Sequence, residues 1–337
     1  MTTITCASYY GSGSSAVTDY ISEFSGVKSL TDYEFRFAHD PDGLSELEYN
    51  LVENFNRHNS GHALKRYKKL VDYYGNHLLV KRYEPFFNNK WKELSYQYIN
   101  DLTDFKFKGC WQFDYYDKGS WFEFWHKLPN RIINKLFHKK SESNYGTMKN
   151  CITYCSHPSE EKFLECTRRY TDALLHEANI ENFPFLMVDQ MLPSSNIERH
   201  MRYFSNIKAI VVDRDPRDVY YEAKYILKNE MLPSDIEKFC QWFAYIRASR
   251  NVENWNSDKI LFIQFENLIY NYEETTERIQ RWIGLDEKNH IKPKTYFNPA
   301  ISIKNTRFWR QHPEYLLEAK EIAKRLPQYL YHYEDEE

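Results

Sequence analysis

Thr2-Thr3-Ile4-Thr5-Cys6-Ala7-Ser8 runs into Tyr9-Tyr10-Gly11-Ser12-Gly13-Ser14-Ser15 and then into Ala16, Val17, Tyr20, Ile21 and Phe24. This opening decides the fold. Residues 2–8 are small and β-prone, as a first buried strand can be. The apolar positions from 16 to 24 recur three and four residues apart, the period of one helix face, and Gly26 suits a stop. The order is strand, glycine-rich turn, helix. A turn entering a helix leaves the first backbone N–H groups unpaired, and the helix dipole places partial positive charge there. Glycines permit close approach and unusual backbone angles, and serine hydroxyls add donors, so Gly11, Ser12, Gly13, Ser14 and Ser15 together suit an anion. The simpler alternative is a serine cap on a flexible turn. The loop is not of the Gly-x-x-x-x-Gly-Lys-Ser/Thr type, because no lysine follows Gly13. Nor is it Gly-x-Gly-x-x-Gly, because residue 16 is alanine.

Working outward, Phe185-Leu186-Met187-Val188, Ala209-Ile210-Val211-Val212 and Lys259-Ile260-Leu261-Phe262-Ile263 read as short strands. The continuous apolar run at 209–212 suits a strand buried on both faces of a parallel sheet. Helices are predicted over 44–58, 61–74, 160–178, about 219–229, 234–255 and 272–283. Strands alternating with helices predict an α/β fold with a parallel sheet. Residues 85–160 are less regular. They carry the aromatics Phe86, Phe87, Trp91, Tyr96, Trp111, Trp121 and Trp125 and a basic patch of Arg131, Lys135, His138, Lys139 and Lys140. One α/β domain over 1–337 with an insertion near 85–160 is the simplest layout.

The chain has 337 residues, 42% of them hydrophobic, enough for a sizeable core. Its formal net charge of −3 gives no basic field that would argue for nucleic acid. The bias is aromatic, with 28 Tyr, 22 Phe and 8 Trp against 10 Gly. Such rings suit sugars or lipids, although core filling accounts for most of them. No run of 18 apolar residues argues for a spanning helix. Met1–Ala7 lacks the basic start and apolar run of a signal peptide. A cytoplasmic location is therefore expected, with the six cysteines reduced. Cys151 and Cys155 lie near His157, but no second pair follows at a zinc-finger spacing, and no metal site is expected.

A second constellation, Val211-Val212-Asp213-Arg214-Asp215-Pro216-Arg217-Asp218-Val219-Tyr220, follows a buried strand. Pro216 with Asp218 suits a turn that opens a helix. Arg214 lies at the strand's carboxyl end, where open α/β sheets bind ligands. A guanidinium there can hold a phosphate through two parallel bonds. A surface ion-pair network among Arg214, Asp215, Arg217 and Asp218 is the alternative, and it suits Arg217 better than Arg214.

With these residues in place, the chain resembles the sulfotransferases that use 3′-phosphoadenosine 5′-phosphosulfate (PAPS). The resemblance rests on the Ser-Gly-Ser-Ser turn at 12–15 and the Arg-Asp-Pro-Arg-Asp-Val segment at 214–219. It also rests on Ile260-Leu261-Phe262-Ile263-Gln264-Phe265-Glu266-Asn267-Leu268, with the helix from Tyr272 to Leu285 after it. Asp189-Gln190-Met191-Leu192-Pro193 takes the place of a loop before the arginine-bearing strand. The resemblance implies a P-loop nucleotide-hydrolase-like fold of sulfotransferase type: a parallel sheet flanked by helices, with an aromatic-rich, mostly helical insertion. It implies that the loop at 11–15 binds the 5′-phosphosulfate and Arg214 the 3′-phosphate. Lys304-Asn305-Thr306-Arg307-Phe308-Trp309-Arg310 is similar to the basic loop that covers the nucleotide, which makes Lys304 and Arg307 candidate cofactor ligands. A basic helix start on the surface is the other reading of that segment. The chain departs from the family at Gly11, where many members carry lysine or arginine. It departs again at Glu222, where a serine commonly shares the 3′-phosphate.

Sulfuryl transfer needs positioning, charge stabilisation and a base for the acceptor hydroxyl. His39 and Asp40 are the leading candidates for the base because their segment follows the first helix. Glu34, His126 and Asp189 are alternatives, and a solvated or structurally paired side chain is the simpler account of each. The aromatic-rich segment suggests a saccharide or polysaccharide acceptor. A basic amphipathic helix at 131–140 could meet a membrane surface near a lipid-linked glycan. Two other readings stand beside this one. A nucleotide-dependent kinase would need the lysine that is missing, and a non-catalytic nucleotide-binding relative is favoured by Gly11 and Glu222.

Overall fold

Seven strands form in the computed structural model, which describes residues 1–75, 82–136, 151–228, 231–248 and 257–335. They are β1 (Thr2–Cys6), β2 (Val27–Glu34), β3 (Phe105–Lys108), β4 (Ile152–Cys155), β5 (Phe185–Asp189), β6 (Ile207–Asp213) and β7 (Ile260–Gln264). The chain divides into two compact units. One comprises Met1–His39 and Leu175–Glu337, the other Asp40–Leu174.

The first unit holds a five-stranded parallel sheet in the order β2-β5-β1-β6-β7. Residues Thr3 to Cys6 of β1 are all buried, as a central strand covered on both faces requires. The chain adds β5 and β2 on one side of β1 and β6 and β7 on the other, so strand order reverses at β1. Crevices at the carboxyl edge of such a reversal point are where open α/β sheets bind ligands. The helix Ser14–Ser22 follows the glycine turn and buries Ala16, Val17, Tyr20 and Ile21 against the sheet. The expected strands at 185–188, 209–212 and 259–263 and the helix Tyr272–Ile283 all form.

Several boundaries differ from expectation for identifiable reasons. The strand β2 carries no clean alternation, because a register shift between Ser29 and Glu34 breaks its pairing at the sheet edge. The helix expected from Val219 begins at Pro216, with Asp215 as its cap, and runs into a π-helical turn over Glu222–Leu227. The helix expected over 44–58 is α-helical only over Leu44–Glu48, followed by a π-helical turn over Tyr49–Glu53. The helix expected over 234–255 covers Ile236–Ile246, and its last residues fall outside those described.

The second unit packs the helices Asn59–Gly75, Trp91–Leu102 and most of Glu160–Ala178 around an aromatic core. Tyr98 stacks on Tyr170 with centroids 4.6 Å apart, and Tyr67 donates to the Tyr170 hydroxyl at 3.1 Å. The antiparallel pair β3–β4 joins segments far apart in the chain, which is why 85–160 looks irregular as sequence. A long helix, Ser120–Leu136, carries part of the basic patch. His138, Lys139 and Lys140 lie outside the described residues.

In the first unit, Glu23 is completely buried where the helix Ser14–Ser22 ends. It accepts hydrogen bonds from the backbone N–H groups of Lys294 (3.1 Å), Tyr296 (2.9 Å) and Phe297 (3.1 Å) and meets His290 Nε2 at 2.6 Å. Glu23→Ala is expected to lower the unfolding free energy by about 3 kcal/mol or more, because each buried donor left unpaired costs about 1–3 kcal/mol. Urea unfolding followed by circular dichroism reads this. A loss under about 1 kcal/mol would show that the 290–297 loop closes without the carboxylate.

Candidate functional site

The turn between β1 and the first helix has Gly11 at φ +72° and Gly13 at φ +81°, a left-handed conformation that side chains disfavour. At Gly13 there is also no room: an added Cβ would come within 2.5 Å of the Phe265 ring. The Ser12 hydroxyl is buried and donates to the Tyr9 carbonyl at 2.7 Å, so it stabilises the turn itself. The backbone N–H groups of Ser14 and Ser15, the first two of the helix, have no acceptor among the described residues. Their dipoles point where an anion gains most.

Arg214, just past β6, is 3% exposed. Its guanidinium donates to the Gly11 carbonyl at 3.1 Å and the Asn305 carbonyl at 2.6 Å, pairs with Glu222, and lies 5.0 Å from the centre of the Phe265 ring. Its Nε–H is buried with no acceptor among the described residues. The turn, Arg214 and the 304–307 segment are thus brought together. The rest of the segment after β6 is a buried charge network rather than the surface network considered above. Asp213 pairs with Arg247 at 2.6 Å, and Asp215 accepts from Arg217 Nε at 2.9 Å and Nη2 at 2.7 Å. Asp218, its carboxyl raised by burial and by Asp215, accepts from the backbone N–H groups of Arg307 and Phe308, both at 3.0 Å. Glu266 accepts from the Asp215 N–H at 2.8 Å, and burial and Asp215 push its carboxyl well above the usual range.

The other expected residues fall as follows. Arg307 sits beside Arg214's segment through its backbone, but its guanidinium pairs with Asp335 at 2.9 and 2.5 Å and stacks over Tyr333. The Lys304 side chain is exposed. His39 lies in the first unit, its ring edge-on to His200 at 6.3 Å, whereas Asp40 lies in the second, where it accepts from the Tyr74 hydroxyl. Glu34 pairs with Arg36 at 2.9 Å, and His126 stacks on Phe122 at 5.1 Å. Asp189 ends β5, beside Cys6 at the end of β1. Burial, and secondarily Glu34, raise its carboxyl to about 7, and its Oδ1 is buried without a partner among the described residues. Sequence reasoning missed two partners, Glu222 on Arg214 and Asp335 on Arg307. Residue type announces neither pair: Glu222 stands eight residues after Arg214, and Asp335 twenty-eight after Arg307.

Two tests follow. Gly13→Ala is expected to destabilise the fold by about 1–3 kcal/mol, and adding Phe265→Ala should recover only the steric part, since the backbone angle remains unfavourable. Full recovery in the double variant would show that space alone selects glycine. For Asp189, a folded-state pKa above the unfolded one means that stability falls as pH rises from about 4 through about 7. Asp189→Asn should therefore match the wild type at pH 4 and exceed it at pH 8, by up to about 4 kcal/mol. Parallel stability curves across that range would exclude the buried, protonated carboxyl.

A profile of the sulfotransferase domain family matches residues 7–305. No curated protein matches the chain. Among solved structures, the sulfotransferase domain of the Synechococcus PCC 7002 olefin synthase is similar at 14% identity and a TM-score of 0.37, over 95% of this chain and 93% of that one. A sulfotransferase from Mycobacterium avium is similar at 11% identity and a TM-score of 0.37, over 97% of this chain and 75% of that one. The profile match spans both the glycine turn and the segment after β6, and on it the chain belongs to the sulfotransferase family.

Proposed function

We propose that the protein transfers a sulfuryl group from PAPS to a hydroxyl of a saccharide or polysaccharide. The observation that carries this reading is the bond from the buried Arg214 to the Gly11 carbonyl, which ties a cation to the anion-suited turn. When bound, the donor supplies an activated sulfuryl group. In this reading the first-turn N–H groups of Ser14 and Ser15, with Gly11, Ser12 and Gly13, hold the phosphosulfate. Arg214 meets the 3′-phosphate, with Lys304 and Arg307 on the covering segment. The acceptor oxygen forms the new S–O bond in line with the one that breaks, and the 5′-phosphate leaves with the electron pair. The acceptor's proton passes to a base. His39 and Asp40 are assigned that role here. Asp189 is the alternative, since a carboxyl near 7 suits proton transfer at neutral pH.

Two features of the second unit support the acceptor assignment. A cavity of about 240 Å³ is lined by Glu46, Asn59, His62, the ring of Phe113 and the ion pair of Asp42 with Arg66. Carboxylates and amides beside an exposed aromatic face suit a ring of hydroxyls. The helix Ser120–Leu136 exposes Trp121, Trp125 and Leu136 next to Arg131 and Lys135. Such a face suits shallow contact with an anionic membrane that carries a lipid-linked glycan. Among the described residues no helix is long and apolar enough to cross a membrane. Six free cysteines suit a reducing compartment, and we assign the protein to the cytoplasm. One observation favours a second reading, that of a non-catalytic nucleotide-binding protein: Arg214 already carries a carboxylate partner.

Adenosine 3′,5′-bisphosphate at about 100 times its dissociation constant should add ~2.7 kcal/mol, a rise in melting temperature of at least roughly 2 °C. ATP should do less, and Arg214→Ala should lose the effect. An equal response to ATP would sink the donor assignment. Transfer of radiolabelled sulfate from PAPS to a panel of glycans then tests the rest. Binding without transfer to any acceptor would favour the non-catalytic reading.

A further inference from the structure

Arg214 is held by two uncharged carbonyls, those of Gly11 and Asn305, and by one carboxylate, that of Glu222. The two carbonyls and the Phe265 ring fix where the guanidinium sits, and its charge is met chiefly by Glu222, with the buried carboxyls of Asp218 and Glu266 acting on it more weakly. The two side chains differ in exposure. Arg214 is 3% exposed and Glu222 29% exposed, so the arginine is embedded while the glutamate reaches it from the solvent side. Glu222 is also the first residue of the π-helical turn Glu222–Leu227, a local irregularity that occurs often at functional sites. The pairing leaves the buried Arg214 Nε–H without an acceptor among the described residues. A carboxylate has two oxygens to offer, a phosphate three.

We propose that Glu222 is an internal occupant of the anion seat on Arg214, so that a nucleotide's 3′-phosphate binds there only by displacing the glutamate side chain. This rests on the reading that Arg214 faces the 3′ position of the donor nucleotide. A phosphate dianion and a carboxylate cannot share one guanidinium without strong mutual repulsion. The 3′-phosphate must therefore turn Glu222 out into water, and part of its binding energy is spent on that exchange. A nucleotide with a bare 3′ hydroxyl makes no such demand. Glu222 thereby sets specificity by opposing one ligand rather than by attracting another. It narrows the preference for 3′-phosphorylated over unphosphorylated nucleotides and hastens release of the bisphosphate product. With no nucleotide on it, the buried arginine is never left as an unpaired charge, which would be costly.

The test is calorimetric titration of adenosine 3′,5′-bisphosphate and AMP into the full chain, comparing the wild type with Glu222→Gln and Glu222→Ser. Glutamine keeps the length and a hydrogen-bonding oxygen, which protects folding if serine does not; circular dichroism checks both. The wild type should prefer the bisphosphate by less than about tenfold. Both variants should bind the bisphosphate at least about tenfold more tightly and change AMP binding less than about twofold. Equal changes for both nucleotides would overturn the proposal, because they would reflect a general loss of negative charge. Unchanged or weaker bisphosphate binding in both variants would also overturn it. Neither of those outcomes touches the nucleotide reading itself. Failure of either nucleotide to bind any of the three folded proteins would overturn that reading and this proposal with it.

Discussion

A charge taken out of water must find a partner or lose its charge, and the stretch that ends β6 and follows it takes five out within six residues. Asp213, Arg214, Asp215, Arg217 and Asp218 are all at most 8% exposed. Each draws a distant part of the first unit to the sheet edge. Asp213 holds Arg247, which caps the carboxyl end of the helix Ile236–Ile246. Asp215 takes the backbone N–H of Tyr331 at 3.1 Å. The Arg217 guanidinium lies 3.7 Å from the centre of the Trp309 ring. Asp218 receives the 307–308 backbone. Arg214 reaches Gly11 and Asn305. The glycine turn is thus built by β1, but what surrounds it is recruited by the charges that follow β6.

That arrangement suits the chemistry of a sulfotransferase. Sulfuryl transfer asks little covalent participation of the protein and much of its positioning and fixed charge. A turn braced from within by the Ser12–Tyr9 bond, and an arginine clamped by two carbonyls, need little rearrangement when an anion arrives. The same rigidity explains why Gly13 tolerates no side chain, with the Phe265 ring serving both the turn and the arginine.

Much of the first unit was legible because its signals are local. Thr2 to Phe24 reads as strand, turn and helix from composition and period alone, and the continuous apolar runs at 185–188, 209–212 and 259–263 mark strands covered on both faces. The edge strand β2 was not legible, because it buries little and a register shift spoils its alternation. The pair β3–β4 escaped for another reason. Its partners stand more than 40 residues apart, and all four residues of β3 are exposed. At the site, the turn and Arg214 could be singled out by residue type, but their partners could not. Glu222 looked like a repulsive neighbour for a phosphate, and only the three-dimensional arrangement reveals it as the arginine's own ion pair. Asp335 and Glu266 lie too far along the chain for spacing to link them to Arg307 or Asp215.

The lateness of some partners bears on how the protein is made. All five strands of the sheet in the first unit are complete once Gln264 has emerged, but the groups that satisfy Asp215, Asp218 and Arg214 include Tyr331, the 307–308 backbone and Asn305. At ribosomal speeds of roughly 5–20 residues per second, they arrive several seconds later. During that interval Asp215 is held by Arg217, and Arg214 by Gly11 and Glu222, while the Asp218 carboxyl still waits for the N–H groups of Arg307 and Phe308. The last carboxylate at the sheet edge to find its donors is therefore Asp218, and it finds them in a stretch translated some forty residues after the final strand.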